Sequence, residues 1–155
     1  LLAKSPEELE AAYDKWATKY DEDLSNISGL PIFGHSAVKV LQKVCLPSKY
    51  PKLLDFGCGT GIAGPLLHEI GWNGDSDTVL HGCDLSQGML DVSSARGCYN
   101  NLIKSTFDSS GAQGGFYDVI HASGIFAPSQ APPATFDEFI RLLKPGGMAF
   151  FTVRT

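Results

Sequence analysis

The chain has 155 residues and 16.6 kDa, with 43% apolar and 19% charged residues, which describes one ordinary globular domain able to bury a core without disulfides or metals. Twelve scattered Lys and Arg against seventeen Asp and Glu leave a net charge of -5. That balance argues against a nucleic-acid backbone or a membrane surface as partner, and the apolar stretches are strand-length, short of the ~20 residues that span a bilayer. Residues 1–10 are acidic and helix-like, unlike a signal peptide. Cys45, Cys58, Cys83 and Cys98 lack CxxC spacing and read as free, reduced thiols, so a cytoplasmic location is expected, with no metal site. The chain begins without Met and stops just after an apolar run, as a piece of a longer protein would.

Ser5-Pro6-Glu7-Glu8 reads as a helix start, with Leu9, Tyr13, Ala17, Tyr20 and Leu24 on one face of a helix reaching about Leu24. Gly29, Pro31 and Gly34 mark a linker, which sets a leading unit (1–34) apart from a core (35–155). Ser36–Cys45 is a second helix with Val38, Leu41 and Val44 inward. Strands are expected at Lys52–Phe56, Thr78–Asp84, Leu102–Phe107, Tyr117–Ala122 and Met148–Val153. Helices are expected at Ile62–Ile70, Ser86–Arg96 and Thr135–Leu143, the last stopped by Pro145. This alternation means βαβ units, an α/β doubly wound parallel sheet. Asp108–Gly115 is rich in Ser and Gly and reads as loop where a helix would be regular.

The informative stretch is Leu53-Leu54-Asp55-Phe56-Gly57-Cys58-Gly59-Thr60-Gly61. Open parallel sheets bind ligands beyond the C-terminal ends of their strands, and a glycine turn there lets backbone approach a ligand closely. From Gly59 to Gly64 the residues also satisfy GxGxxG, a dinucleotide fingerprint. Against that reading, Gly59 lies several residues past Leu54, and a strand-end Asp55 would repel a pyrophosphate. A carboxylate there suits a ligand bearing an amino group.

LLDFGCGTG resembles motif I of the class I S-adenosylmethionine-dependent methyltransferases, and HGCDLSQGML (81–90) and KPGG before an apolar strand resemble later motifs of the same family in order. YDKWATKYDEDL, RGCYNNL and KPGGMAFFTVR resemble the methyltransferase-like proteins of the Williams–Beuren region. The resemblance implies a Rossmann-like core and S-adenosylmethionine as cofactor. It places Asp55 near the cofactor's amino group, with Gly57, Gly59 and Gly61 as the close-approach turn. Asp84 would accept the ribose hydroxyls, Leu85 and Met89 would lie against adenine, and Asp108 would stand near the adenine amine. Tyr13 or Tyr20 would touch the cofactor carboxylate if the first helix closes over the site.

His121, at the end of the fourth strand, is the candidate base, since an imidazole takes up a proton near neutral pH. No Ser-His-Asp or Cys-His set stands in a plausible sequence context. The expected function is methyl transfer to a small-molecule acceptor by in-line displacement. A non-catalytic cofactor-binding module and, by the GxGxxG match, an NAD-dependent oxidoreductase are the alternatives. The class I fold usually adds a helix and a strand pair after the fifth strand. Without them the sheet shows an open edge that another chain would cover in an oligomer.

Overall fold

A computed structural model describes residues 5–28, 34–75, 77–127 and 131–153. The leading helix is in fact two, α1 (Pro6–Trp16) and α2 (Tyr20–Ser28). Ser5 caps α1, its hydroxyl accepting from Glu8 N at 3.2 Å. The chain turns where Lys19 N donates to Trp16 O. The bend is held by the edge-on Trp16–Tyr20 pair, with ring centres 4.8 Å apart, and by Trp16 Nε1 donating to Asp23 Oδ2 at 2.6 Å. Residues 29–33 of the expected linker lie outside the described residues.

Helix α3 (Gly34–Val44) buries Val38 and Leu41, but Val44 is 55% exposed, contrary to expectation. At 100° per residue Cys45 falls in line with Val38, and it takes the inward place. Then follow β1 (Lys52–Phe56), α4 (Gly64–Glu69), β2 (Val79–Asp84), α5 (Gln87–Ala95), β3 (Asn101–Lys104), β4 (Tyr117–Phe126), α6 (Thr135–Leu142) and β5 (Leu143–Val153). Helix α4 is shorter than expected because Gly57, Gly59 and Gly61 all have positive φ, and helix begins only at Gly64 with Pro65 in its first turn. Strand β5 starts earlier than expected. It pairs with β4 at Leu143 and again from Met148, and the intervening Pro145-Gly146 is a bulge with Gly146 at φ 81°.

The sheet is parallel throughout, in the order β3-β2-β1-β4-β5. Alternation along β1 and β4 splits the core in two. Leu53, Leu80 and Val119 pack on one face with Val38, Leu41, Leu67 and Trp72 from α3, α4 and the turn after it. Leu54, Phe56, Ile120 and Ala122 pack on the other face against Phe139 and Leu142 of α6. No helix occupies the segment between β3 and β4, as the Ser/Gly-rich sequence implied. Instead the loop is tied to α6. Ser110 donates to Glu138 Oε1 from its N–H at 2.8 Å and from its hydroxyl at 2.7 Å, and Arg141 reaches Ala112 O at 3.0 Å. Burial pushes the Glu138 carboxyl up, but hydrogen bonds from Arg141 and Ser110 outweigh it and hold the group down at about 2. On its outer side β5 has no partner among the described residues, and Phe151 and Val153 are exposed there. No described helix is long and apolar enough to cross a membrane.

Candidate functional site

The chain winds outward from β1 to β3, then crosses to β4 on the other side of β1. A crevice therefore opens beyond the C-terminal ends of β1, β2 and β4, where the strand order reverses. Two adjoining clefts fill it, enclosing about 580 and 500 Å³ with the solvent at their mouths included. They share a waist formed by Tyr20, Gly57, Gly59, Ser123 and Gly124.

The three turn glycines do different work. A Cβ on Gly57 would stand 2.3 Å from Ile125 Cγ2, and one on Gly61 would stand 2.5 Å from Ser93 Oγ, so these two permit packing. A Cβ on Gly59 would meet nothing within 4 Å, and of the three it alone sets bare backbone against open cleft. Four of the turn's N–H groups are engaged within the protein. Gly57 N and Cys58 N donate to Cys83 O, Gly61 N donates to Cys58 O, and Gly59 N donates to Asp84 Oδ2 at 2.8 Å. These four donors are therefore not open to a phosphate, although a phosphate cradle is built from such groups.

Asp84 also accepts from Ser86 N at 2.9 Å, which fixes the carboxylate between the glycine turn and the start of α5. Desolvation pushes its carboxyl up to about 6 in spite of those two backbone donors. Leu85 and Met89, held by the Ser86 cap, line the larger cleft with Asp84, Tyr13 and Tyr20. Asp108 does not join them: its Oδ1 accepts from the Thr106 hydroxyl at 2.8 Å, and the cleft wall there is Ser105 and Phe107. Gly61 lies behind the turn, outside both clefts.

Asp55 lines the smaller cleft but is 2% exposed, and both its oxygens have protein partners. Oδ2 accepts from the Tyr99 hydroxyl at 2.6 Å, and Oδ1 lies 2.8 Å from His121 Nδ1. Burial, then the Asp55 charge, push the Tyr99 hydroxyl well above its ordinary range, which keeps it a neutral donor. His121 lines the smaller cleft from a wholly buried position, and its Nε2 lies 3.0 Å from Ser123 Oγ. A Ser-His-Asp chain thus exists, contrary to the sequence expectation. Its signal was register: Asp55 and His121 are paired positions on neighbouring strands, and Ser123 follows His121 by two residues on the same strand face.

The leading helices lie across this crevice. Asp14 Oδ1 accepts from the Ser86 hydroxyl at 2.5 Å and from Gly88 N at 2.9 Å, and these bonds hold its carboxyl below the usual range. Asp21 accepts from the Thr60 hydroxyl at 2.6 Å and pairs with Arg96, whose Nε donates to Thr60 O at 2.6 Å. Glu10 pairs with Lys104 at 2.6 Å. Tyr13, Trp16 and Tyr20 form one aromatic cluster above the cleft. None of the three carboxylate anchors was given a role from the sequence.

Comparison with known proteins gives the same outline. A family profile described as a methyltransferase domain matches residues 17–155. The chain is similar to human methyltransferase-like protein 27, 32% identical over 146 residues, which cover 92% of this chain and 56% of that protein. It therefore spans little more than half that relative's length. Its fold resembles a TehB-like S-adenosylmethionine-dependent methyltransferase from Corynebacterium glutamicum, with TM-score 0.67 and 19% identity, covering 91% of this chain and 72% of the other. It also resembles a chain in the Haloferax volcanii complex between the Trm112 methyltransferase activator and a methyltransferase, with TM-score 0.66 and 21% identity over 91% of this chain and 59% of that one.

Proposed function

This chain belongs to the methyltransferase domain family, and from that premise we propose that its two-part cleft binds S-adenosylmethionine and directs the methyl group to a small-molecule acceptor. The observation that carries the reading is Asp84, fixed by Gly59 N and Ser86 N at the rim of the larger cleft beside the bare backbone of Gly59. A carboxylate in that place suits the two hydroxyls of a ribose. Leu85 and Met89 supply an apolar, polarizable wall for adenine. The amino-acid end of the cofactor then occupies the smaller cleft. There the Asp55 oxygens, each with a second lone pair, favour an ammonium group without needing it for balance.

The residues present fit the cofactor: an acidic rim, an open glycine and an apolar wall. When bound, the cofactor supplies an electrophilic methyl carbon on a positively charged sulfur. The protein's part is to place that carbon at the waist and to exclude water. α1 and α2, anchored through Asp14 and Asp21, act as the strap over it. Tyr13 and Tyr20 form its inner surface. The leading unit is thus a cofactor lid and residues 35–155 the binding core. The acidic chain supports an acceptor that is neither nucleic acid nor membrane, in a cytoplasmic setting.

Titration calorimetry with S-adenosylhomocysteine, with NAD as comparison, tests the reading. Binding of the homocysteine compound that Asp84→Ala abolishes is the expected result. Heat with NAD alone would replace the reading with the dinucleotide alternative.

A further inference from the structure

We propose that Ser123 is the acid–base residue facing the methyl acceptor, with the buried His121–Asp55 pair behind it holding the proton it removes; this rests on the cofactor reading above. Geometry carries the inference. Ser123 stands at the waist shared by the two clefts, where on the cofactor reading the two halves of the cofactor would meet and the transferable methyl would lie. It is partly exposed there, while His121 is not exposed at all.

The hydrogen-bond chain has one direction. An ionised Asp55 only accepts, so Tyr99 donates its hydroxyl to Oδ2 and His121 donates Nδ1–H to Oδ1. With Nδ1 protonated, the neutral imidazole presents a lone pair at Nε2, and Ser123 donates its Oγ–H to it across 3.0 Å. Oγ is left with its lone pairs toward the cleft. Any donor would satisfy the buried Nε2; what singles this one out is that it is a hydroxyl at the cleft, while Nδ1 is fixed by a carboxylate itself held by Tyr99.

The step balances as follows. The acceptor's X–H gives its proton to Ser123 Oγ as the Ser123 proton moves to His121 Nε2. X forms a bond to the methyl carbon, and the carbon–sulfur bond breaks with its electron pair passing to sulfur, which becomes a neutral thioether. The imidazolium so formed is opposed by Asp55 and returns its proton through Ser123 once product has left. His121 and Asp55 are positioning residues in this scheme, and Ser123 is the catalytic one.

A serine whose proton is taken by imidazole is nucleophilic, which allows a test that needs no known acceptor. Diisopropyl fluorophosphate is incubated with the protein, and the adduct is located by peptide mass. In that reaction the Oγ–P bond forms, fluoride leaves and the proton goes to Nε2. The expected result is one adduct on Ser123, absent in Ser123→Ala, slowed at least tenfold in His121→Gln and blocked by saturating S-adenosylhomocysteine. Should His121→Gln fail to fold, the wild-type labelling rate in D2O serves instead, and a slower rate is expected. No adduct on Ser123, or an adduct formed with no dependence on His121 or on D2O, overturns the proposal. Binding of S-adenosylhomocysteine without labelling sinks the relay and leaves the cofactor reading intact. Labelling without such binding does the reverse.

Discussion

At Asp84 the physical chemistry of one residue can be read in solution. Its carboxyl is raised to about 6, so the charged form is costlier in the folded chain than in the unfolded one. This group therefore subtracts from stability above pH 6, and the cost fades as pH falls from about 6 toward the unfolded value near 4. On the proposed reading cofactor affinity runs the other way, because ribose hydroxyls would donate to the ionised form. Binding of S-adenosylhomocysteine is expected to weaken as pH drops through 6, and Asp84→Asn should bind weakly with no such dependence, as calorimetry across pH 5–8 would show. The glycines give a paired prediction. Gly57→Ala drives a Cβ into Ile125 at a φ of 72° and should lower stability by about 3 kcal/mol, as overpacking and left-handed strain together do. Gly59→Ala has open space at φ 55°, so it should cost only about 1 kcal/mol by denaturant titration and yet impair cofactor binding.

Elements were legible where their signals are local. The cap of Ser5, the apolar core of β1 and the Ser86 cap of α5 all appear where the sequence places them. What was not legible depends on partners distant in sequence. The bend between α1 and α2 depends on the packing of Trp16 and Tyr20, and the helical period runs through it unbroken. The early start of β5 needs β4 beside it to be seen at all.

The strap makes a prediction at this scale. Asp21→Ala removes acceptors for Thr60 and Arg96, so amide exchange in residues 6–28 should speed up and S-adenosylhomocysteine affinity should fall severalfold, while exchange in the strands stays unchanged. Its exposed ion pairs add little stability themselves, so the effect belongs to the ordering of the lid over the cleft. The loop after β3 makes another prediction. Glu138 has its carboxyl depressed to about 2, so its stabilising effect is complete above pH 4.5 and is lost as pH falls toward 2. Glu138→Gln should destabilise the protein by about 3 kcal/mol at neutral pH and flatten the acid limb of its stability profile.

On the scale of the whole molecule, strand order creates the function-bearing crevice. β1 at the centre, flanked by β2 and β4, brings Asp55, Asp84 and His121 to one end of the sheet from positions far apart in the chain. Motif and strand-end position pointed to half of the larger cleft's lining: Asp84, Leu85, Met89, Gly57, Gly59, Tyr13 and Tyr20 all line it. Gly61 and Asp108 fall outside it, and Asp108 stands on an irregular loop where no register places a residue. Tyr99 was missed because its role depends on a contact between distant elements, and Ser123 because its two-residue spacing from His121 carries no signal until Asp55 is placed beside that strand.

Binding to the folded chain alone must also stabilise it. S-adenosylhomocysteine at a hundred times its Kd should add about 2.7 kcal/mol and raise Tm by about 5–10 °C. The most direct measurement is a crystal structure of the chain with S-adenosylhomocysteine bound. The account predicts ribose hydroxyls on Asp84, adenine against Leu85 and Met89, and sulfur at the waist beside Ser123. A ligand lying outside these clefts, or seated with its sulfur away from the waist, would contradict it.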